Sequence, residues 1–372
     1  MKKLRVAIIG AGIGGLSAAV ALHEIGAQVR VYEQAQQLGD IGAGVALQHN
    51  SQRVLDRLGI GERVSRIGSR LSDFWLFTPD GTVVSHETYD PQTGTLGLRR
   101  ADLVAVLAAA LPTGIVHTGC RCVQFTQDDW SAVVSFDNGV SVNADVVVAA
   151  DGIRSGLQRH VVAPSDPVFS GVVAYRGLIP AAQLPEWPQG LVTWGGDGKH
   201  VVAYPVRAGQ LINYVGFLPA DDQMLEAWSA PGDPAVLAAA FADWAPQARH
   251  LLSRVETTLK WGLYDREPLP RWTHGRLALL GDAAHAMLPH MGQGANQAIE
   301  DAMALAILLR GVAAADVPAA LMRYQTLRLD HTARVQQSAR ANGLRFDSAQ
   351  PLSLNHSWMR DYDVEKEALA AS

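Results

Sequence analysis

A glycine-rich turn near the amino terminus constrains the fold of this chain more than any other feature. The apolar run at residues 6–9 predicts a buried strand, and the small and apolar residues after the turn predict a helix. Gly10, Gly12 and Gly15 fill a GxGxxG pattern, which allows a tight turn, close approach of a pyrophosphate and close helix–sheet packing. Glu33 ends the next strand, where its carboxylate can accept hydrogen bonds from ribose hydroxyls. The pattern predicts a dinucleotide-binding βαβ unit.

The composition excludes several other classes of protein. The chain has 372 residues, of which 48% are hydrophobic and 18% charged, enough to bury the core of two domains or of one large α/β domain with an insertion. A formal net charge of −5 without a basic block argues against a nucleic-acid partner. The only cysteines, Cys120 and Cys122, fit neither a disulfide framework nor a zinc quartet, which favours a reducing, cytoplasmic setting.

Neither a membrane span nor a signal peptide is expected. Arg310 and Asp316 interrupt the longest apolar region of the chain. The apolar run at the amino terminus changes into glycines after a few residues, as a strand before a glycine turn would. The sequence therefore gives no reason to expect a membrane partner.

The chain beyond Glu33 departs from the regular βαβ repeats of a nicotinamide-dependent dehydrogenase. Asp-Gly at 80–81 and Asn-Gly at 138–139 are hairpin signals between strand-like segments, and a helix is predicted from about 100 to 111. Two further strands are predicted around Ala-Gly at 208–209. This order predicts a dinucleotide-binding domain combined with a separate β-rich part.

Residues 281–302 join an apolar strand to a helix through a loop rich in histidine, methionine and glycine. A metal site, a hinge and a cofactor-binding loop all fit this composition. His285 and His290 lie five residues apart among methionines with no carboxylate between them, which makes a poor ligand set for a hard metal ion. No metal site is expected, and the other two interpretations stay open on these residues alone.

Four motifs occur in order along more than three quarters of the chain. They are the glycine turn with Glu33, LRRADLVAVL around Arg100, ADGIRS at 150–155, and GRLALLGDAAHAMLPHMGQGANQAIEDA from Gly275. Together they resemble the group A flavoprotein monooxygenases, the FAD-dependent aromatic hydroxylases. The resemblance is strongest to the branch of salicylate hydroxylase and 6-hydroxynicotinate 3-monooxygenase.

The sequence departs from the family pattern at two positions and matches it at a further one. Gln158 stands where the family often has arginine after its Asp-Gly motif. Ala46 occupies the place of a histidine in the nicotinate hydroxylases of the branch, which disfavours nicotinate as the substrate. Arg328 belongs to a family pattern of tyrosine and arginine after the FAD domain, which we expect to be scaffold rather than chemistry.

The resemblance implies an α/β fold with a Rossmann-like FAD-binding domain, an inserted antiparallel β-sheet domain for the substrate, and C-terminal helices. The FAD domain is expected to be discontinuous. The implied boundaries are 1–70, 97–165 and 271–335 for the FAD domain, 71–96 and 166–270 for the substrate domain, and 336–372 for the C-terminal helical segment.

The resemblance also implies a set of FAD-binding residues. Asp282 resembles the acid that bonds the ribityl chain, and Arg100 resembles an arginine between the phosphates and the ribityl group. Pro289 is expected close to the flavin face, and the residues after it to bring backbone N–H groups to the flavin N1–C2=O edge. The full expected set is Gly10, Gly12, Gly14, Gly15, Glu33, Gln34, Arg100, Cys122, Asp282, Pro289, Gly292, Gln293, Gly294, Ala295 and Asn296.

The family chemistry implies NADH or NADPH as reductant, O₂, and a small aromatic or N-heteroaromatic substrate of hydroxybenzoate, phenol or hydroxypyridine type. Oxygen transfer runs through a flavin C4a-hydroperoxide, and an ionised phenol is the better nucleophile. His200 and Tyr204, four residues apart and thus on one face of a strand, are the candidates for deprotonating and orienting the substrate. Arg176 and Arg207 could pair with a substrate carboxylate.

Some of the aromatic side chains of the β-rich part are expected to line the substrate pocket, and the others to pack in the core. The residues considered are Trp187, Trp194, Tyr204, Tyr214 and Phe217. Two alternatives to the hydroxylase remain at this point: a flavin-dependent reductase or oxidase without oxygen insertion, and a flavin-binding protein without turnover. A monomer or a homodimer is expected.

Overall fold

The structure is a computed structural model that describes residues 3–39, 44–163, 165–220, 229–348, 350 and 357–372. The parts of the predicted domains at 1–2, 40–43, 164, 221–228, 349 and 351–356 lie outside the described residues.

The strands are numbered in chain order. They are β1 (Arg5–Ile9), β2 (Gln28–Tyr32), β3 (Gly44–Leu47), β4 (Ser69–Arg70), β5 (Asp73–Phe77), β6 (Val83–Thr88), β7 (Leu96–Arg99), β8 (Val116–His117), β9 (Cys122–Gln127), β10 (Ala132–Phe136), β11 (Ser141–Ala144), β12 (Val146–Ala149), β13 (Val168–Pro180), β14 (Gly190–Gly196), β15 (Lys199–Val206), β16 (Leu211–Pro219), β17 (Ser229–Gly232), β18 (Thr258–Asp265), β19 (Thr273–His274) and β20 (Leu277–Leu279).

The helices follow the same convention. They are α1 (Ile13–Glu24), α2 (His49–Arg57), α3 (Gly61–Ile67), α4 (Arg100–Ala109), α5 (Pro234–Ala240), α6 (Pro246–Leu252), α7 (Asp282–His285), α8 (Gly294–Leu309), α9 (Val317–Asp347), α10 (Ser357–Arg360) and α11 (Val364–Ala370).

The predicted glycine turn belongs to a six-stranded sheet in the order β19-β20-β12-β1-β2-β8. All neighbouring pairs are parallel except β19 with β20. Every residue of β12 is buried, as expected for a parallel strand covered on both faces. Helix α1 packs against α8, in which every residue from Asn296 to Leu309 is buried. These elements form the Rossmann-like part of the predicted α/β fold.

A second, eight-stranded sheet has the order β17-β18-β13-β16-β15-β14-β5-β6. Its neighbouring strands are antiparallel except for β14 and β5, which are parallel. The expectation of an antiparallel sheet therefore fails at this one pair. Strand β5 comes from a distant part of the chain, so no tight turn fixes its direction relative to β14.

The three hairpin signals in the sequence are confirmed. Strands β5 and β6, β10 and β11, and β15 and β16 each pair antiparallel across the predicted turn. Gly81, Gly139 and Gly209 have φ angles of +93°, +82° and +80° at these turns, where a residue with a side chain would be strained.

Successive side chains of β15 point to opposite faces of the eight-stranded sheet. His200, Val202 and Tyr204 point into a cavity beside the six-stranded sheet. Val201 and Ala203 point the other way, into a core that α5 and α6 cover. A small sheet of β3, β7 and β4 lies between the two large sheets and completes the cavity.

Candidate functional site

A cavity of about 510 Å³ lies between the six-stranded sheet and the eight-stranded sheet. Its walls come from the glycine turn before α1, the start of α4, strands β13 to β16, and the segment that leads into α8. A volume of this size suits a small organic ligand.

The four glycines of the turn have different surroundings. Gly10 has φ +104°, and a Cβ there would lie 2.3 Å from the carbonyl oxygen of Ala150. A Cβ on Gly15 would lie 2.0 Å from the carbonyl oxygen of Gly10, so α1 packs directly on the turn. Gly12 and Gly14 line the cavity. Gly10 and Gly15 thus shape the turn, and Gly14 allows close packing, since a Cβ there would lie 2.8 Å from the Leu280 side chain. Gly12 leaves room for a ligand at the amino terminus of α1.

Glu33 and Gln34 lie outside the cavity lining, at the end of β2. The Glu33 carboxylate accepts hydrogen bonds from the backbone N–H of Ala11, at 2.8 Å, and of Ala35, at 2.9 Å. These bonds fix the carboxylate beside the glycine turn and leave lone pairs for hydroxyl donors. Gln34 is exposed.

Arg100 and Asp282 both line the cavity. An Arg100 nitrogen lies 3.8 Å from where a Cβ on Gly12 would stand, so its positive charge is beside the turn. Asp282 begins α7 and opens onto the cavity. The surrounding protein nevertheless desolvates its carboxyl, and this burial raises its pKa, while the charges of His285 and Arg100 oppose the rise. An acid and a cation are therefore both available to a ligand that enters along the turn.

The loop from Pro289 to the start of α8 forms another wall of the cavity. Pro289, Gly292, Gln293, Gly294 and Ala295 line it, and Gly292 has φ +62°. The amino terminus of α8 opens at this loop, where unpaired N–H groups and the helix dipole favour negative charge.

Asn296 has a different position from its loop neighbours, because it is fully buried and does not line the cavity. Its Oδ1 accepts from the backbone N–H of Gln48, at 2.8 Å, and its Nδ2 donates to the carbonyls of Ala46 and Gly292, at 3.0 and 2.7 Å. The side chain thus fixes the loop to the segment after β3. Any contribution of Asn296 to a cofactor would act through the position of the loop.

His200 is 1% exposed and lines the cavity. Its Nδ1 lies 2.8 Å from a carboxylate oxygen of Asp347, whereas its Nε2 is buried without a hydrogen-bond partner. The ring stacks on Phe217, with 4.1 Å between centroids. Burial lowers the pKa of His200, and Asp347 opposes this shift. A neutral imidazole with a free nitrogen is the form that accepts a proton.

Tyr204 and His290 complete this side of the cavity. Burial raises the pKa of Tyr204 far above its ordinary value, and the charge of Arg176 opposes the rise. His290 lies on the loop with its ring centroid 5.1 Å from that of His200. Burial, with a smaller contribution from His200, lowers the pKa of His290 to about 3. No catalytic or binding role of His290 was predicted from the sequence, because the loop was expected to act through its backbone N–H groups.

The two candidate arginines have different surroundings. Arg176 lines the cavity, stacks over Trp261 at 4.9 Å, and pairs with no carboxylate of the described chain. Burial lowers the pKa of Arg176, Tyr204 opposes this shift, and Arg100 adds to it. Arg207 is exposed, lies outside the cavity lining, and approaches Asp102 at 3.8 Å.

Cys122 also lies outside the cavity lining. It begins β9 half-buried, and its Sγ lies 3.8 Å from the carbonyl of Gln124. Burial, together with the negative charge of Asp151, raises the pKa of its thiol to about 11. The side chain of Cys122 therefore has no direct position in the cavity.

A fully buried ionic network lies behind the loop and was not anticipated. Arg328 bonds Glu300 and Asp301, each at 2.8 Å, and Asp301 also bonds His285 at 2.6 Å. The Asp301 oxygen that contacts His285, Oδ2, also accepts a hydrogen bond from the backbone N–H of Gly281, at 3.1 Å. Burial opposes ionisation of Asp301, but His285 and Arg328 outweigh it and lower its pKa to about 2. The network fixes both ends of the segment that leads into α8.

Gln158, where the sequence departs from the family pattern, also supports this segment. It is 4% exposed, and its Nε2 donates to the carbonyl of Ala283 in α7 at 3.0 Å. An uncharged amide thus connects the Asp-Gly segment to α7.

Two of the five aromatic side chains line the cavity, in agreement with the expectation that some of the group would do so. Tyr204 and Phe217 line the cavity, but Tyr214 belongs to the core on the opposite face of the sheet. Trp187 and Trp194 line a separate cleft on that opposite face. Residues 214 and 217 are an odd number apart on one strand, so their side chains must point to opposite faces.

The described residues contain no group of three or more His, Cys, Asp or Glu side chains arranged to hold a metal ion. No helix in the described ranges is long and apolar enough to cross a membrane.

The chain is similar in sequence and in fold to known proteins. The FAD binding domain family matches residues 3–339. A 3-amino-4-hydroxybenzoate 2-monooxygenase of Streptomyces platensis is 39% identical over 92% of this chain and 88% of its own length. The 6-hydroxynicotinate 3-monooxygenase of Bordetella bronchiseptica is 35% identical over 99% and 97%. A salicylate hydroxylase substrate complex superimposes with a TM-score of 0.88 at 30% identity, covering 100% of this chain and 98% of that one.

Proposed function

Because this chain belongs to the FAD-dependent aromatic-ring monooxygenases, we propose that its substrate is a small hydroxylated aromatic carboxylate. Homologues in this family are aromatic hydroxylases, which supports oxygen insertion over the alternatives of a reductase or a flavin carrier. The curated relatives named above act on aromatic acids that carry a hydroxyl group, as their names state.

One observation carries the choice of substrate: a single cavity contains an arginine without a carboxylate partner and a histidine nitrogen without a hydrogen-bond partner. Arg176 would hold the carboxylate of the substrate, since a guanidinium donates in the planar geometry that a carboxylate accepts. His200 would accept the proton of the ring hydroxyl at Nε2, and Tyr204 would orient that hydroxyl.

The residues around the glycine turn and the loop fit FAD. Gly12 and the amino terminus of α1 leave space for its pyrophosphate, with Arg100 beside them, and Asp282 is open to ribityl hydroxyls. The loop at Gly292 would face the flavin ring. When bound and reduced by NADH or NADPH, FAD would activate O₂ for transfer of one oxygen atom to the aromatic ring. A cytoplasmic setting is part of this proposal, and a monomer or a homodimer satisfies it because all named residues lie in one chain.

The proposal is tested with FAD-loaded protein and a panel of hydroxybenzoates, hydroxypyridines and phenols without a carboxylate. We expect the hydroxybenzoates to accelerate NADH or NADPH oxidation most strongly, with a product that gains one oxygen atom by mass. Stimulation without any oxygenated product, so that all reduced O₂ appears as H₂O₂, would contradict the proposed hydroxylation. Equal stimulation by phenols that lack a carboxylate would contradict the choice of substrate.

Replacement of Arg176 by methionine is expected to raise KM for a hydroxybenzoate by about 10- to 100-fold, because one charge-assisted hydrogen-bonded pair is lost. KM for the matching phenol should stay within about twofold, since a phenol has no carboxylate to pair. Steady-state kinetics with both compounds measures the difference. Arg207→Met is the control, because Arg207 is exposed and lies outside the cavity lining. An equal rise in KM for the phenol would show a general loss of packing instead.

A further inference from the structure

We propose that Asp347, the last residue of α9, is a positioning residue that keeps the proton of His200 on Nδ1 and its Nε2 free to accept a proton from the substrate. This inference rests on the proposed function, because it assigns His200 the part of the base. Asp347 lies in the predicted C-terminal helical segment, 147 residues away from His200 along the chain.

The hydrogen bonds of His200 determine which of its nitrogens carries the proton. A carboxylate oxygen of Asp347 lies 2.8 Å from Nδ1, and an ionised carboxylate can only accept a hydrogen bond. Nδ1 must therefore be the donor, and Nε2 carries a lone pair in the neutral ring. Nε2 has no partner in the described protein, although it is buried and its ring lines the cavity. A substrate hydroxyl would satisfy it.

Other contacts fix the last turn of α9 against the β14–β15 hairpin that carries His200. The backbone N–H of Gly198 donates to the carbonyl of Asp347 at 2.9 Å. A Cβ on Gly195 would lie 2.2 Å from the carbonyl oxygen of Phe346, so the helix end and the hairpin touch through their backbones. The Phe346 ring also stacks beside His200, with 5.2 Å between centroids. The position of Asp347 is thus set by packing and does not depend on the carboxylate alone.

The place of Asp347 at a helix end is unfavourable without a partner. The carboxyl end of a helix carries partial negative charge, which repels an anionic side chain in the last turn. Asp347 is the C-terminal residue of a 31-residue helix, and its carboxylate is directed at the imidazole of His200. Hydrogen bonding to His200 offsets this repulsion and does so most when the imidazole is charged.

The other groups around His200 do not compete for its proton. His290 faces the ring from the loop, and burial keeps it neutral. Phe217 and Phe346 cover the ring faces and do not titrate. The neighbouring Lys199 points to the opposite face of the sheet, where its Nζ donates to the carbonyl of Ala240 at 2.6 Å. Among the described residues, Asp347 is the anion in contact with His200.

The proton transfer needs no reactant other than the substrate hydroxyl and His200. The substrate O–H bond breaks, its proton forms an N–H bond at Nε2, and the electron pair stays on the phenolate oxygen. His200 becomes an imidazolium whose Nδ1–H points at the Asp347 carboxylate, so the new positive charge has a counter-ion. The same proton returns from Nε2 when the hydroxyl of the product is restored.

The test uses FAD-loaded protein and 4-hydroxy-3-nitrobenzoate, a phenol with a carboxylate whose phenolate absorbs visible light. Its absorbance is followed against pH in the bound state. We expect the midpoint of phenolate formation to lie about one pH unit higher in Asp347→Asn than in the natural protein, because the imidazolium loses its counter-ion. With a hydroxybenzoate, kcat should fall by about tenfold or more while KM changes little.

Two further variants distinguish a positioning role of Asp347 from a role in folding. Asp347→Glu keeps the carboxylate and should recover most of kcat and of the midpoint, even if Asp347→Asn is poorly folded. Asp330→Asn, an exposed aspartate on the same helix, should leave both unchanged. An unchanged midpoint in Asp347→Asn, or no recovery in Asp347→Glu, would overturn the positioning role. Failure of the natural protein to bind the probe would instead overturn the proposed substrate class.

Discussion

Gly15→Val will yield protein with less than about a tenth of the FAD content of the natural chain. A Cβ on Gly15 would lie 2.0 Å from the carbonyl oxygen of Gly10, which real structures do not tolerate, so α1 must move away from the turn. The amino terminus of α1 then no longer faces the pyrophosphate at hydrogen-bonding distance. The ratio of flavin to protein absorbance after purification measures the effect.

Gly156→Ala provides the matched control for this experiment. Gly156 has an ordinary φ angle, and a Cβ there would meet no atom within 4 Å. Its backbone N–H, which donates to Asp151, remains in the alanine variant. We expect full FAD content in Gly156→Ala. Full FAD content in Gly15→Val as well would show that the close packing of α1 on the turn is not needed for binding.

Arg328→Met is expected to lower the free energy of unfolding by about 3–5 kcal/mol, because it leaves the buried carboxyl of Glu300 without its guanidinium partner and removes one of the two basic side chains that bond Asp301, the other being His285. All three side chains are fully buried, so water cannot replace the guanidinium. Denaturant unfolding of the FAD-free proteins measures the change, so that FAD binding does not contribute. Arg66→Met, which removes an exposed pair with Glu62, should cost less than about 1 kcal/mol.

The loss in Arg328→Met should also depend on pH. Burial already raises the pKa of Glu300 to about 7, and loss of the Arg328 guanidinium removes the largest opposing charge, so the folded-state pKa of Glu300 rises further. A group of this kind destabilises the fold as pH rises from its unfolded pKa to its folded pKa, so the loss should be smaller at about pH 5 than at about pH 8. A loss that is equal at both pH values would indicate that packing, rather than charge, is responsible.

The features that the sequence predicted well depend on neighbours along the chain. A glycine turn between a strand and a helix needs only local residues, and so do hairpin signals such as Asn138-Gly139, which connects β10 to β11. The four family motifs are also local strings. The sequence could therefore predict the Rossmann-like part and the identity of the cofactor before any tertiary contact was known.

The features that could not be predicted from the sequence depend on contacts between distant segments. The bond from Asp347 to His200 spans 147 residues, and the bond from Gln48 to Asn296 spans 248. No periodic pattern connects such positions, because each end obeys the rules of its own helix or strand. The separation of Tyr214 from Phe217 is different, since their odd spacing on β16 already predicts that the two side chains lie on opposite faces of the sheet.

Helix α9 joins two parts of the site that are far apart. Arg328, in its middle, pairs with the carboxylates of Glu300 and Asp301 behind the loop that leads into α8, and Asp347, at its end, bonds His200 in the cavity. Nineteen residues separate them, which corresponds to about 28 Å of helix. Both contacts are made by one unbroken helix. The loop before α8 and the ring of His200 are thus both held in place by contacts with α9.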